Sequence, residues 1–251
     1  MTSLQTHWDA RAALNFILGG SGAGLIIAAA FVQPPSPWPV GVGLALIAAG
    51  LFSVWLETGR KLRALHVLFN PFTSWMTREA FAALLLFPVG LGAFLTLKFL
   101  PVAAVLALVF LWCQARILRA ARGIPAWRAP QIVPFVIAAG FAEGAGLAVF
   151  LVQTQLAAAI LAIALIGRAL AWSAYRSEVK NETLERAGRL LQLGGIAALI
   201  LVAASFYVAP LALLAAALAV GSGWWLKLSL VTRGAVTQGF SLPRQPVRGT
   251  R

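Results

Sequence analysis

Eight long apolar segments, separated by short breaks that contain proline, glycine or charge, dominate this chain. About 20 apolar residues at a rise of 1.5 Å per residue cross the hydrocarbon core of a bilayer. Because 61% of the residues are hydrophobic and only 11% are charged, the pattern predicts an all-α integral membrane protein with eight transmembrane helices. The segments cover roughly residues 11–32, 38–56, 78–97, 100–117, 131–152, 155–175, 188–207 and 210–230.

A short repeat indicates how these helices could group. Gly22-Ala23-Gly24-Leu25 in the first segment recurs as Gly144-Ala145-Gly146-Leu147 in the fifth. An offset of four helices would relate residues 1–120 and 121–231 as two parallel four-helix halves, although a chain so rich in Gly, Ala and Leu can also produce the repeat by chance. In either case, small residues at this spacing predict a close approach of helix backbones.

Basic residues predict the orientation. Eight crossings place both termini on one side, and 19 of the 20 Lys and Arg residues lie on that side, Lys98 being the exception. Because positive loops remain in the cytoplasm, we expect a multi-pass protein of the bacterial cytoplasmic (inner) membrane with both termini cytoplasmic. Residues 232–251, polar and basic, would form a cytoplasmic tail, either held by a partner or disordered. Insertion and contact with anionic membrane lipid account for the net charge of +13, so we expect no nucleic-acid partner.

The residue types exclude several kinds of metal centre. Cys113 is the only cysteine, so this chain alone can form neither a disulfide nor an iron–sulfur cluster nor a thiolate zinc site. The two histidines, His7 and His66, lie outside the apolar segments, which argues against a bis-histidine haem. A phosphate-binding loop, an HExxH motif and a Ser-His-Asp arrangement are missing as well. We therefore expect no metal, haem or iron–sulfur cluster and no catalytic residue for an organic substrate in this chain.

Polar residues inside the apolar segments form one group of candidates, an intramembrane polar site at Asn15 and Glu143. Ionisable groups are costly in lipid and usually face a cavity or a partner. Glu143, near the middle of the fifth segment, could relay protons or bind a polar headgroup. It could equally be a hydrogen-bonded structural residue, paired for example with Asn15. Arg168 could extend its side chain to the membrane surface.

Residues 55–80, WLETGRKLRALHVLFNPFTSWMTREA, concentrate charge between the second and third segments. A quinone bound at a membrane surface needs an aromatic plate, hydrogen-bond donors and a source of protons. Trp75 could stack on the ring, and glutamates or a histidine could donate protons. A solvated loop whose basic residues set the topology fits the same composition. The candidate quinone-site residues are Glu57, Arg60, Arg63, His66, Ser74, Trp75 and Glu79.

The same segment resembles the hallmark sequence of the membrane-anchor subunits of dimethyl sulfoxide reductase and its relatives. In that family, G–x–x–x–R after helix 2 is followed by a Ser-rich stretch and by S–x–E or S–R–E at the start of helix 3. Here Gly59, Arg63, Ser74 and Thr77-Arg78-Glu79 fill the pattern. The family's quinone-site positions fall on Glu57 and Glu79. Glu57 replaces a histidine, which leaves His66 as an alternative proton donor.

The resemblance implies partners as well. Such anchors bind a ferredoxin-like iron–sulfur subunit, which binds a molybdenum or tungsten catalytic subunit, and electrons pass between these centres and ubiquinone or menaquinone. Because the motif lies on the positive side, the soluble subunits would dock in the cytoplasm and oxidise a cytoplasmic substrate. The anchors of phenylacetyl-CoA:acceptor oxidoreductase and of cytoplasmic sulfite dehydrogenase both fit this orientation. The compact chain and the opening HWDARAALNF resemble the first more closely. A small-solute transporter and a structural anchor without quinone are the alternatives.

Overall fold

Eight long helices form the structure, a computed structural model that describes residues 3–5, 8–57 and 61–237, with only the backbone described at Ser3 and at residues 61–64. All eight are long and apolar enough to cross a membrane, which confirms the predicted all-α membrane fold. In chain order they are α1 (Ala10–Ala29), α2 (Trp38–Glu57), α3 (Trp75–Thr96), α4 (Leu100–Ala120), α5 (Ile132–Val152), α6 (Gln155–Glu178), α7 (Glu182–Ser205) and α8 (Leu211–Val231).

Several helices extend beyond the apolar segments that predicted them, because polar side chains cap their ends. α3 begins at Trp75 rather than at 78, since the Ser74 hydroxyl accepts the Thr77 backbone N–H at 3.3 Å. α7 begins at Glu182 rather than at 188, since Asn181 Oδ1 accepts the N–H groups of Thr183 and Leu184 at 3.0 and 3.2 Å. The residues added to α7, 182–187, are mostly polar, so hydropathy alone does not find them.

The break predicted between the third and fourth segments is confirmed. α3 ends where Leu97 adopts a left-handed conformation with φ of 60°, and the Leu97 N–H bonds to the Ala93 carbonyl at 2.9 Å. α4 starts at Leu100, with Pro101 in its first turn. Proline lacks a backbone N–H, and the first turn of a helix does not require one.

The helices pack in the same pattern in each half of the described chain. α1–α2–α3–α4 form one ring of neighbours, and α5–α6–α7–α8 form another, with each first helix also contacting its fourth. The largest contact between the rings joins α1 to α5. The origin of the halves by duplication stays a prediction.

Glycines make the contact between α1 and α5 very close. A Cβ atom added at Gly24 would lie 2.0 Å from the carbonyl oxygen of Gly140, and one added at Gly144 would lie 2.0 Å from the carbonyl carbon of Gly24. Only residues without a side chain permit backbones to approach so closely. This confirms the predicted close approach, although Gly24 packs against Gly140 and Gly144 rather than against the repeated Gly146.

The two ends of the described chain meet. Ser3–Leu4 pairs with Val236–Thr237 as a two-residue antiparallel ladder, and the Gln5 side chain donates to the Val231 carbonyl at 3.2 Å. We call this end of the bundle the terminal face. Part of the predicted tail is therefore paired with the N-terminal segment, whereas residues 238–251 lie outside the described residues. That the terminal face is cytoplasmic stays a prediction.

Candidate functional site

Three consecutive residues at the start of α3 make different contacts. The Thr77 hydroxyl donates to the Val67 carbonyl. Arg78 donates from Nε to the Pro71 carbonyl at 2.9 Å and from Nη2 to the Phe72 carbonyl at 2.6 Å. These bonds attach the preceding loop, including its 3₁₀ helix Lys61–Phe69, to the helix. Of the three, Glu79 lines the cavity described next.

This cavity, which we call the Glu79 cavity, has a volume of about 280 Å³ and lies at the terminal-face end of α1, α2 and α3. Its size is near the lower end of the range for small-ligand sites. Apolar side chains form most of its wall, and Asn15 and Glu79 are its polar members. The apolar lining residues are Trp8, Ala12, Phe16, Leu51, Val54, Trp55, Val67, Met76, Ala80 and Ile117.

The Glu79 side chain is buried, with the residue 5% exposed. Asn15 Nδ2 donates to Glu79 Oε1 at 3.4 Å, and the Gln114 amide is its other polar neighbour. Among the side chains that the structure describes, no Lys, Arg or His lies within ion-pairing distance of this carboxyl group. An unpaired carboxylate is costly in such surroundings, and an acid kept at a cavity despite that cost is a functional candidate.

The amide neighbours of Glu79 carry unused hydrogen-bonding capacity. Gln114 Nε2 donates to the Asn15 carbonyl at 3.0 Å, but Asn15 Oδ1 and Gln114 Oε1 are buried without a partner in the described part of the chain. Buried acceptors are nearly always bonded, so the Oδ1 atom of Asn15, which lines the Glu79 cavity, indicates a place for a donor there. Asn15 also begins a π-helical segment, Asn15–Gly19, within α1, and such segments are frequent at functional sites.

The structure does not place Trp75 at the Glu79 cavity. The Trp75 ring lies under two guanidinium groups, with Arg78 at 4.1 Å and Arg116 at 4.5 Å from its centroid, and it packs edge-on against Trp112 at 5.0 Å. It does not line the Glu79 cavity. The aromatic walls there come from the N-terminal segment, α1 and α2, whose contribution the loop sequence could not reveal.

Glu57 lies at the end of α2 and does not line the cavity either. The charges that act on it are Asp9 and Arg11, which form an ion pair of 2.7 Å between Arg11 Nη2 and Asp9 Oδ2. Hydrogen bonds from the Arg11 side chain and from its backbone N–H hold the pKa of Asp9 below its usual value. Asp9 also caps α1, so this group fixes the start of the helix that carries Asn15.

The remaining loop candidates have structural contacts or lie outside the described part. His66 is exposed and its ring packs edge-on against Phe69 at 5.5 Å. Ser74 is the N-cap of α3. Arg60 and the Arg63 side chain lie outside the described residues, as does His7. Of the nine predicted site residues, the structure brings Glu79 and Asn15 together at one cavity.

Glu143 belongs to a separate network between α1, α5 and α8. Its Oε2 atom accepts from Lys227 Nζ at 2.7 Å and from the Ser21 hydroxyl at 2.7 Å. Lys227 also donates to the Phe16 carbonyl at 3.2 Å, and Trp224 Nε1 donates to the Ser21 hydroxyl oxygen at 2.9 Å. Glu143 is thus hydrogen-bonded to neighbouring helices, but the example of Asn15 as its partner is wrong, because Asn15 donates to Glu79 instead.

Arg168 is close to this network, and the prediction that it extends to the membrane surface is also wrong. The residue is 1% exposed, and its Nη1 donates to the Ala219 carbonyl at 2.7 Å. A Cβ atom at Gly223 would lie 2.6 Å from Glu143 Oε1 and 3.1 Å from Arg168 Nη1, so a glycine makes room for both groups. Lys227 could have been recognised from its position inside the apolar segment 210–230.

No protein-family model matches the chain, and no curated protein matches it. Among the described residues, no group of three or more His, Cys, Asp and Glu side chains is placed to hold a metal ion. Any functional assignment therefore depends on the residues and their geometry.

Proposed function

We propose that this chain is the membrane-anchor subunit of a molybdenum or tungsten oxidoreductase complex. It docks a ferredoxin-like iron–sulfur subunit at its cytoplasmic face and exchanges electrons with ubiquinone or menaquinone in the bacterial inner membrane. The complex oxidises phenylacetyl-CoA and reduces quinone, and a cytoplasm-facing sulfite dehydrogenase is the alternative with the same membrane chemistry. The observation that carries the proposal is Glu79, a buried acid without a described cationic partner at an apolar cavity.

The residues of the Glu79 cavity fit a quinone headgroup. Trp8, Phe16 and Trp55 supply aromatic and apolar surface for a flat ring. Asn15 supplies an amide donor and, at Oδ1, an acceptor without a partner among the described residues. When bound, a quinone accepts electrons and protons. Glu79 would hold a proton beside it and exchange that proton with the ring oxygen, as general acids and bases do.

The rest of the motif positions this acid. Ser74 determines where α3 begins, and the bonds from Thr77 and Arg78 to loop carbonyls keep the loop against the helix. Val67, within the attached loop, lines the Glu79 cavity. A site whose supporting contacts are fixed in this way holds its reactive group more accurately than a free loop would.

Replacing Glu79 by Gln tests the proposal, because an amide keeps the shape of the side chain but cannot exchange a proton. In the purified complex, Glu79→Gln should lower quinone-linked turnover by roughly 100-fold, with the subunit composition unchanged. Turnover with a soluble artificial electron acceptor should stay normal. The matched control is Glu185→Gln, which changes an exposed acid at the start of α7 and should leave both activities unchanged.

Two results would contradict the proposal. If Glu79→Gln retains normal quinone-linked turnover in an assembled complex, the chain is a structural anchor or takes its protons elsewhere. If mass spectrometry of the chain purified in mild detergent finds neither an iron–sulfur subunit nor a molybdenum or tungsten subunit, the anchor assignment is wrong.

A small-solute transporter is the alternative from another class, and the buried Glu143–Lys227 pair favours it. Secondary transporters usually bind their substrates where helices are interrupted near the middle of the membrane. Here α5 and α8 are continuous α-helices through the residues that form the pair, and α1 contains the π-helical segment Asn15–Gly19 but no break. The three helices of the network therefore lack the unwound segments of a transporter site, which favours the anchor.

A further inference from the structure

A second cavity at the terminal face, the arginine cavity, has a volume of about 410 Å³. It lies where α3 begins and α4 ends. α4 contributes Arg116 and Arg119, and the segment after α4, with its short helix Pro125–Arg128, contributes Arg122 and Arg128. It shares no lining residue with the Glu79 cavity. The other lining residues are Thr73, Trp75 and Ala120.

The positive charge of this cavity is not compensated by the described residues that line it. Guanidinium groups stay protonated at any physiological pH, and none of the described residues that line the cavity is an acid. Arg116 Nε is in addition buried without a hydrogen-bond partner among the described residues. Like charges brought together in a confined space repel each other unless an anion lies between them. The lining is therefore complementary to an anion with several oxygen acceptors.

Aromatic contacts hold one of these arginines in place. The Arg116 guanidinium lies 4.5 Å from the centroid of the Trp75 ring and 5.9 Å from that of Trp112, and the two indoles pack edge to face at 5.0 Å. A guanidinium stacked on aromatic rings keeps its N–H donors in a defined direction. Arg116 is therefore pre-oriented for a ligand.

The outer surface of α4 connects the arginine cavity to the lipid-facing side of the bundle. Val105, Val109, Trp112, Arg116 and Arg119 are spaced three and four residues apart, which places them on one face of the helix. Val105 is 61% exposed, Val109 40% and Trp112 42%. The arginines and the indole lie near the terminal face, and the two valines lie further from it along the helix. This order matches the headgroup layer and then the acyl layer of a bilayer. A free anion would contact only the arginines, whereas a phospholipid would also contact the exposed apolar side chains of this face.

We propose that the arginine cavity binds the phosphate group of an anionic phospholipid, whose acyl chains lie along this face of α4. Phosphate oxygens accept paired N–H donors from guanidinium groups, and basic pockets at the membrane surface bind lipid headgroups in this manner. The site does not depend on the quinone proposal, since it uses different residues and can be tested on the chain alone.

Native mass spectrometry of the purified full chain in detergent tests the site, with phosphatidylglycerol and phosphatidylcholine as the added lipids. The wild-type chain should bind phosphatidylglycerol at least tenfold more tightly than phosphatidylcholine. The double variant Arg116→Gln/Arg119→Gln should lower the affinity for phosphatidylglycerol by roughly tenfold or more. Arg122→Gln/Arg128→Gln changes two exposed arginines and should have the same effect even if the first variant does not fold.

Arg176→Gln/Arg186→Gln is the matched control, because it removes the same charge from exposed positions in α6 and α7. It should bind phosphatidylglycerol as the wild type does. Equal losses in this control and in both cavity variants would mean general surface attraction and would overturn the proposal. Displacement of phosphatidylglycerol by an equal concentration of inorganic phosphate would assign the cavity to a free phosphate ion and would overturn the lipid assignment.

Discussion

Glu79 and Glu143 are both buried acids in apolar helices, yet their surroundings differ. Glu143 contacts the Lys227 ammonium at 2.7 Å, with Arg168 nearby, so its charge is compensated within the bundle. Glu79 has only amide groups as its described polar neighbours. A buried ion pair compensates its own charge, whereas an uncompensated acid at a cavity is a candidate for proton exchange. We therefore place the proposed proton exchange at Glu79 and propose a structural role for Glu143.

Lys227→Met tests the structural role of the Glu143 pair. Methionine has a similar length but no charge, so Glu143 would be left buried without its main partner. Removing one member of a buried pair is strongly destabilising, and we expect the free energy of unfolding in mixed micelles to fall by about 3 kcal/mol.

The single variant Glu143→Gln and the double variant Lys227→Met/Glu143→Gln complete a double-mutant cycle. A neutral amide can still accept the hydrogen bond from Ser21, so the double variant should be more stable than Lys227→Met alone. Additive losses would show that the two side chains do not stabilise each other, and the structural assignment of Glu143 would then fail.

At the scale of elements, the contact between α1 and α5 joins the two rings of helices. The atoms that meet there are backbone atoms of Gly24, Gly140 and Gly144. Backbone cannot move aside as a flexible side chain can, so this contact has no tolerance for an added carbon atom. Mutual burial of glycine surfaces therefore determines the distance between the rings.

Gly144→Ala should disrupt this contact, because its Cβ atom would lie 2.0 Å from the Gly24 backbone. We expect a loss of about 3 kcal/mol or more in the free energy of unfolding. Gly221→Ala in α8 is the matched control, since a Cβ atom there meets nothing within 4 Å, and it should change stability by less than about 1 kcal/mol. A thermal midpoint for Gly144→Ala equal to that of the control would contradict the close packing of α1 on α5.

At the scale of the whole molecule, the paired ends of the described chain mark the terminal face. The charged loops after α2, α4 and α6 lie at the same end of the bundle. Lys98, between α3 and α4, is exposed at the opposite end of the bundle. The distribution of basic residues predicts that the terminal face is cytoplasmic. The proposed docking of an iron–sulfur subunit in the cytoplasm depends on this orientation.

Cysteine labelling in intact cells tests the orientation. A membrane-impermeant maleimide should label Lys98→Cys in intact cells, whereas Lys180→Cys, exposed after α6, should be labelled only after the membrane is opened. The native Cys113 is 2% exposed, so the parent chain should give little background. Labelling in the reverse order would place the terminal face outside and exclude the proposed docking side.

Local patterns in the sequence were sufficient to predict the eight spans and the break between α3 and α4 at Leu97. The motif also pointed to Glu79, because Thr77-Arg78-Glu79 is a contiguous signal. It did not reveal that Thr77 and Arg78 bond to the loop while Trp75 lies beneath two arginines. Those contacts depend on how the loop folds back onto α3, which no local pattern describes.

The sequence by itself determined the membrane class and the number of helices, because the transfer of an apolar segment into lipid depends on that segment alone. Only the tertiary structure decided which helix faces meet. Asn15 and Glu79 are 64 positions apart, and Glu143 and Lys227 are 84 positions apart. In a membrane, the buried and the lipid-facing sides of a helix are both apolar, so hydrophobic periodicity does not indicate which side is buried. Packing of the glycine surfaces and pairing of the buried polar groups decide it instead.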